Sequence, residues 1–190
     1  DAGATTLTNA TLTTATLTNA TMSAGSIGSG VTGYTGVKEF DMWRLTTTGQ
    51  GPFDLSTNIE RVDTYEFGKL GTGMSESSGI FTFPATGYWK VDFHMNVKKH
   101  GDSRYNDALI YVTPNNGSNW YIAAYASCFV QTTASSTTYS SSYAHHFLDV
   151  TDTSNIKVKF RAGLGDSSAY CEGSSTSSIT SMSFMRIGDT

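Results

Sequence analysis

Thirteen consecutive residues, Gly87–Lys99, restrict the rest of the chain more than any other segment. Trp89, Val91, Phe93, Met95 and Val97 alternate with Lys90, Asp92, His94, Asn96 and Lys98. Side chains two apart point the same way in a strand, so this segment has one apolar face and one polar face. A helix would scatter the same residues around its axis. One dry face needs a second layer to cover it, and the wet face argues for an antiparallel sheet with water on one side.

Similar short runs recur along the chain, with Gly, Asn, Asp and Ser between them. They are KEFDMWRL (38–45), GIFTFP (79–84), ALIYV (108–112), WYIAAYASCFV (120–130), YAHHFLDV (143–150), IKVKF (156–160) and ITSMSFMRI (179–187). Phe81 and Phe83 share a face, and Pro84 and Gly87 make the connection into 87–99. In the IKVKF run Ile156, Val158 and Phe160 face inward, while Lys157, Lys159 and Arg161 face outward. The pattern predicts an all-β antiparallel sandwich with about eight main strands, the count of a jelly roll. Composition agrees. Charged residues are only 15% of the chain, while Ser and Thr together exceed a quarter of it. The net charge of −4 gives no basic footprint for nucleic acid. No apolar run approaches the roughly 18 residues of a membrane span, so no membrane insertion is expected.

The first thirty residues are different. From Thr6 they read TLTNA, TLTTA, TLTNA, TMSAG, SIGSG. Leu7, Leu12, Leu17, Met22 and Ile27 hold a large apolar position, and Ala10, Ala15, Ala20, Gly25 and Gly30 a small one. A period of five suits a chain that turns a corner at each unit. The register resembles pentapeptide-repeat β-solenoids and the Thr/Ala/Leu-rich shafts of viral fibres. So few units cannot bury a core alone and need stacked neighbours or other chains. The expected organisation is a shaft end over 1–30, a Gly-rich neck over 31–36 and a head over 37–190. The opening at Asp1, inside a repeat, leads us to expect more polypeptide upstream.

Within the head, SSGIFTFPATGYWKVDF resembles the C1q/TNF-like signature, carried by Gly79, Phe81, Pro84, Gly87, Tyr88 and, shifted, Trp89. The preceding NIERVDTYEFGKLGTGMSES looks like the family's lead-in to that strand. TSNIKVKF sits where the family has its Gly-Asp-x-Val element, with Thr153-Ser154 in place of Gly-Asp. SSITSMSFMRIG resembles the closing strand, with Ser181 where Gly is usual. The resemblance implies a jelly roll of eight to ten strands that assembles as a compact homotrimer. Joined to the repeat, it looks like the distal head of a trimeric phage or viral fibre, on the virion surface, attaching to a host surface glycan or protein. Two alternatives stay open: a cellular adhesin or secreted C1q-like lectin, and a polysaccharide-degrading fibre tip.

Chemistry is sparse. There is no nucleophile elbow and no phosphate loop. Adjacent strand residues His145 and His146 point to opposite faces and cannot share a metal. His94 lies on a polar face, and Asp102, Asp107, Asp149 and Asp152 read as solvated loop acids. No enzyme activity, cofactor or metal is expected. A hydrolytic tip would need two carboxylates about 5–9 Å apart, and the end loops offer Asp102, Asp166 and Glu172. Cys128 and Cys171 could form one bridge or remain two thiols.

Loop parity supplies the candidate site. If the first strand leaves the shaft, alternate loops gather at the far end: 99–106, 133–142 and 164–177. They carry Tyr105, Tyr139 and Tyr170 among Ser and Thr, the composition of adaptable binding surfaces. The expected receptor-binding residues are Arg104, Tyr105, Tyr139, Asp166 and Tyr170. The outward row Lys157, Lys159 and Arg161 is a second candidate, for an anionic polysaccharide.

Overall fold

The computed structural model describes residues 37–131 and 136–190. The expected shaft and neck lie outside the described residues, as does part of the loop expected over 133–142. Among the described residues there is no helix. The strands are β1 (Glu39–Leu45), β2 (Thr47–Gln50), β3 (Phe53–Asp54), β4 (Ile59–Arg61), β5 (Ser75–Ser77), β6 (Ile80–Thr82) and β7 (Gly87–Lys99). There follow β8 (Ser103–Thr113), β9 (Tyr121–Val130), β10 (Thr138–Val150), β11 (Lys157–Leu164), β12 (Tyr170–Ser174) and β13 (Ser181–Gly188).

All pairings are antiparallel and form two sheets. In the first, β7 pairs along one side with β10 and along the other with β13 and, at its end, β12. Beyond β13 lie β1 and β4, and beyond β12 lies β2. The second runs β5-β6-β11-β8-β9, with β3 beside the later half of β11. The all-β jelly roll read from the chain is therefore the fold. The strand count is higher because 46–78 contributes four strands of two to four residues that no apolar run marked, and β12 adds a fifth. Segments that short leave no readable alternation.

The core lies between the sheets. Trp89, Val91, Phe93, Met95 and Val97 are all buried on one face of β7, as the alternation requires. They meet Phe81 of β6 and Phe160 of β11; Phe93 and Phe160 have ring centroids 5.2 Å apart, and Phe81 and Phe184 are 5.0 Å apart. Each such side chain adds about 1.5–3 kcal/mol by leaving water.

Two glycines of the 79–93 motif are fixed by space. Gly79 has φ +83°, and a Cβ there would lie 2.2 Å from the Leu55 carbonyl oxygen. At Gly87, φ +138°, it would lie 2.4 Å from the Gly188 oxygen. Both sites exclude any side chain. Between them Pro84 turns the chain, and the Trp89 indole N–H donates to the Ala85 carbonyl at 3.1 Å.

Candidate functional site

Strand directions place the candidate end. β1 leaves the N-terminal side, and Glu39 pairs with Arg186 near the end of β13. β7 runs parallel to β1, because both are antiparallel to β13, so Lys98 and Lys99 lie far from Val37. There β7 turns into β8, β9 approaches β10, and β11 returns into β12. The three expected connections therefore meet at one end of the sandwich, but they are shorter than expected. Residues 103–106, 138–142 and 170–174 belong to β8, β10 and β12, so Arg104, Tyr105, Tyr139 and Tyr170 sit on strands, not loops. β12 was missed because YCEGS has one deeply buried side chain, Cys171.

Four of the five expected residues divide between the two outer faces, and Asp166 lies in the connection between them. On the first sheet Tyr139 and Tyr170 both pair with Lys98, from opposite sides. Lys98 Nζ lies 2.7 Å from Glu172 Oε1, and that carboxylate holds the ammonium pKa above its ordinary value. On the second sheet, Arg104 and Tyr105 emerge beside Phe129, all three exposed. Arg104 and Phe129 line an open depression of about 270 Å3 with Asp102, Ser103, Val130 and Gln131. Between the faces the 165–169 connection is pinned from below. Lys99, nearly buried, places Nζ 2.8 Å from Asp166 and 2.5 Å from Ser168 Oγ. Lys99, first, and the Ser168 donors hold the Asp166 carboxyl well below the usual carboxylate range. Asp166 therefore fastens the loop.

Phe129 and Lys98 are not among the expected site residues, and Glu172 is expected there only as a hydrolytic carboxylate. Phe129 lies in a run apolar on both faces, which hides which side chains are exposed. Two of the carboxylates a hydrolytic tip would draw on, Asp166 and Glu172, are held by lysines. Two of the three members of the outward basic row are also engaged. Asp54 lies 3.1 Å from Lys159 and 2.7 Å from Arg161, and Lys159 stacks on Trp120 at 5.0 Å. That row is not a free cationic face. His145 and His146 diverge as expected, and among the described residues no group of His, Cys, Asp and Glu could hold a metal. Cys128 and Cys171 are both thiols, on different sheets; burial pushes Cys171 up to about 12.

No family model and no curated protein sequence matches the chain. Solved structures do. A crystal structure of murine APRIL at pH 8.5 superposes with a TM-score of 0.52 at 9% identity, over 78% of this chain and 98% of that one. The structure of Eiger TNF from S. frugiperda gives a TM-score of 0.57 at 11% identity, over 80% and 93%. Identities this low speak for fold alone, and the fold is the TNF-like jelly roll that the 79–93 motif foretold.

Proposed function

We propose that the chain is the distal head of a homotrimeric fibre, on a virion surface, that attaches to a host surface glycan or protein through the end of the sandwich opposite Val37. The observation that carries the reading is the gathering of exposed aromatic side chains at that end, on both sheets: Tyr139 and Tyr170 around Lys98, and Tyr105 beside Phe129. Rigid aromatic faces among small hydroxyl residues suit weak contacts to sugars or loops. Three copies presented together would multiply such contacts by avidity, roughly a hundredfold or more. The pentad repeat and Gly-rich stretch serve in this reading as shaft and neck.

Assembly as a trimer draws on the side of the sandwich formed by β9 and β10. Both strands end their sheets there. β9 has no charged residue in its length, and β10 has only Asp149. An edge that long and uncharged is an aggregation hazard unless another chain covers it. Tyr125, Tyr143 and Phe147 stand exposed on it.

The test uses the full chain, labelled, and measures adsorption to a panel of whole bacterial cells. The double variant Tyr139→Ala/Tyr170→Ala should remain assembled and bind at least tenfold less. Undiminished adsorption by a well-folded variant would remove the first-sheet half of the patch from the reading.

A further inference from the structure

We propose that the depression between Arg104 and Phe129 binds the carboxylate of an acidic sugar residue, a uronate or sialate, within a surface glycan; the proposal rests on the far end being the receptor-binding surface. The local backbone is built to present these side chains. Ser103 pairs with Val130 and Asn106 with Cys128, so Arg104 and Tyr105 together oppose the single residue Phe129. This is a β-bulge, which breaks alternation and re-aims side chains. Here it turns two consecutive residues outward. Its base is tied: buried Ser103 donates its hydroxyl to Asn106 Oδ1 at 2.8 Å. Its extra carbonyl is satisfied too, because the Gly165 N–H donates to Tyr105 O at 2.9 Å. A Cβ at residue 165 would lie 2.5 Å from that oxygen and 3.0 Å from the Tyr105 ring. Gly165 is thus what lets Tyr105 seat against the 165–169 connection.

Charge then singles out Arg104. Of the 12 Lys and Arg residues, the side chains of only Arg104 and Lys157 engage neither a carboxylate nor a carbonyl among the described residues. Lys157 shares its depression with Glu76 and has no aromatic neighbour in that lining. Arg104 shares its own with Phe129, which is 66% exposed. An unpaired guanidinium fork matches a carboxylate through two parallel hydrogen bonds. The adjacent ring offers a face to the C–H side of a pyranose. One cation, with the engaged acid Asp102 on the same rim, suits a singly charged group better than a phosphate dianion. A depression of about 270 Å3, just under the ~300 Å3 low end of ligand pockets, has room for one sugar.

Saturation-transfer NMR titrations of the full chain would use N-acetylneuraminate, glucuronate and glucose as probes. At least one of the two acids should bind, and Arg104→Gln should weaken it tenfold or more. Phe129→Ala should weaken it severalfold, while Lys157→Gln leaves it unchanged. Binding of glucose as tight as that of the acids, or binding indifferent to Arg104→Gln, would overturn the proposal. So would failure of both acids to bind. In that case cell adsorption that still falls with Tyr139→Ala/Tyr170→Ala would leave the far-end reading standing. Adsorption that neither this pair nor Arg104→Gln reduces would end both.

Discussion

Around β4, every buried charge is answered from within the chain. Asp41, on the inner side of β1, accepts from the Arg61 Nε at 2.9 Å, the Trp43 indole at 2.9 Å and the Met74 amide at 2.8 Å. Arg61 also lies over the Trp43 ring at 4.6 Å. On the outer side Arg44, 1% exposed, donates to Glu60, Asp63 and Thr64. The opposite flank, β9 and β10, has almost no charge and leaves aromatic rings in water. Tyr143, His145 and Phe147 line up along β10, with centroids 5.9 Å and 6.3 Å apart. Only the first of these is tethered, its hydroxyl donating to Asp92. A flank closed by its own chain has no need of a partner. A flank that spends no charge on blunting a long edge is suited to meeting a copy of itself.

The most damaging way to test that contrast is to place a charge on the open flank. Phe147→Asp adds a carboxylate where the proposed assembly is apolar, once per subunit. Trimer association should weaken by about a thousandfold or more, as loss of a central aromatic anchor does. The monomer should keep its fold, because Phe147 contributes little to its own core. Sedimentation at micromolar concentration reads the outcome. A wild-type chain already monomeric, or a variant still trimeric, would show that the bare edge is not the interface.

The closed flank should break differently. Asp41→Ala removes the acceptor from Arg61, Trp43 and Met74 at one stroke. The buried Trp43 and Met74 donors left without an acceptor cost about 1–3 kcal/mol each, while Arg61, a third exposed, still reaches the Met74 carbonyl. Urea unfolding of the Phe147→Asp monomer with and without Asp41→Ala isolates that figure from assembly. A loss under about 1 kcal/mol would mean that water already serves those donors.

The same contrast explains what could be read from residues alone. β7 was legible because its five inward side chains are apolar and its five outward ones polar. The 79–93 motif was legible because Gly79 and Gly87 occupy positions where backbone forbids a Cβ. The ion pairs around Arg44 and Arg61 were not, since each joins β1 to groups on or just after β4, a strand of three residues too short to show a period. At the far end, Arg104 and Tyr105 could be placed by counting strands. Phe129 could not, because an apolar run on an uncovered edge looks like one in a core. Nor could the bulge that pairs it with two residues, which depends on register between strands.

The smallest expected effect is one of acidity, and it belongs to the open flank. His146 faces inward on β10, opposite Val91. Burial, and then the neighbouring His145, push its pKa below the ordinary value. An unfolded chain protonates this imidazole near its ordinary pKa of about 6.5, and the folded chain only at lower pH. Below about 6.5 the unfolded state therefore binds more protons, and stability falls as pH drops toward the folded pKa. The carboxylates held low by partners, Asp54 and Asp166 among them, act in another window. Their contribution is present above about pH 4 and is lost only as pH falls through that range. Lys90 and Lys98, raised by Asp92 and Glu172, lose theirs only as pH rises past about 10. Melting temperatures at pH 7.5 and 5.5 thus isolate the histidine. The wild-type chain should melt slightly lower at pH 5.5, and His146→Gln should remove most of that difference. The drop should persist in the Phe147→Asp monomer, because the burial that displaces His146 comes from its own chain. An equal drop in His146→Gln would assign the acid sensitivity elsewhere, and a drop confined to the trimer would place it at the subunit contact.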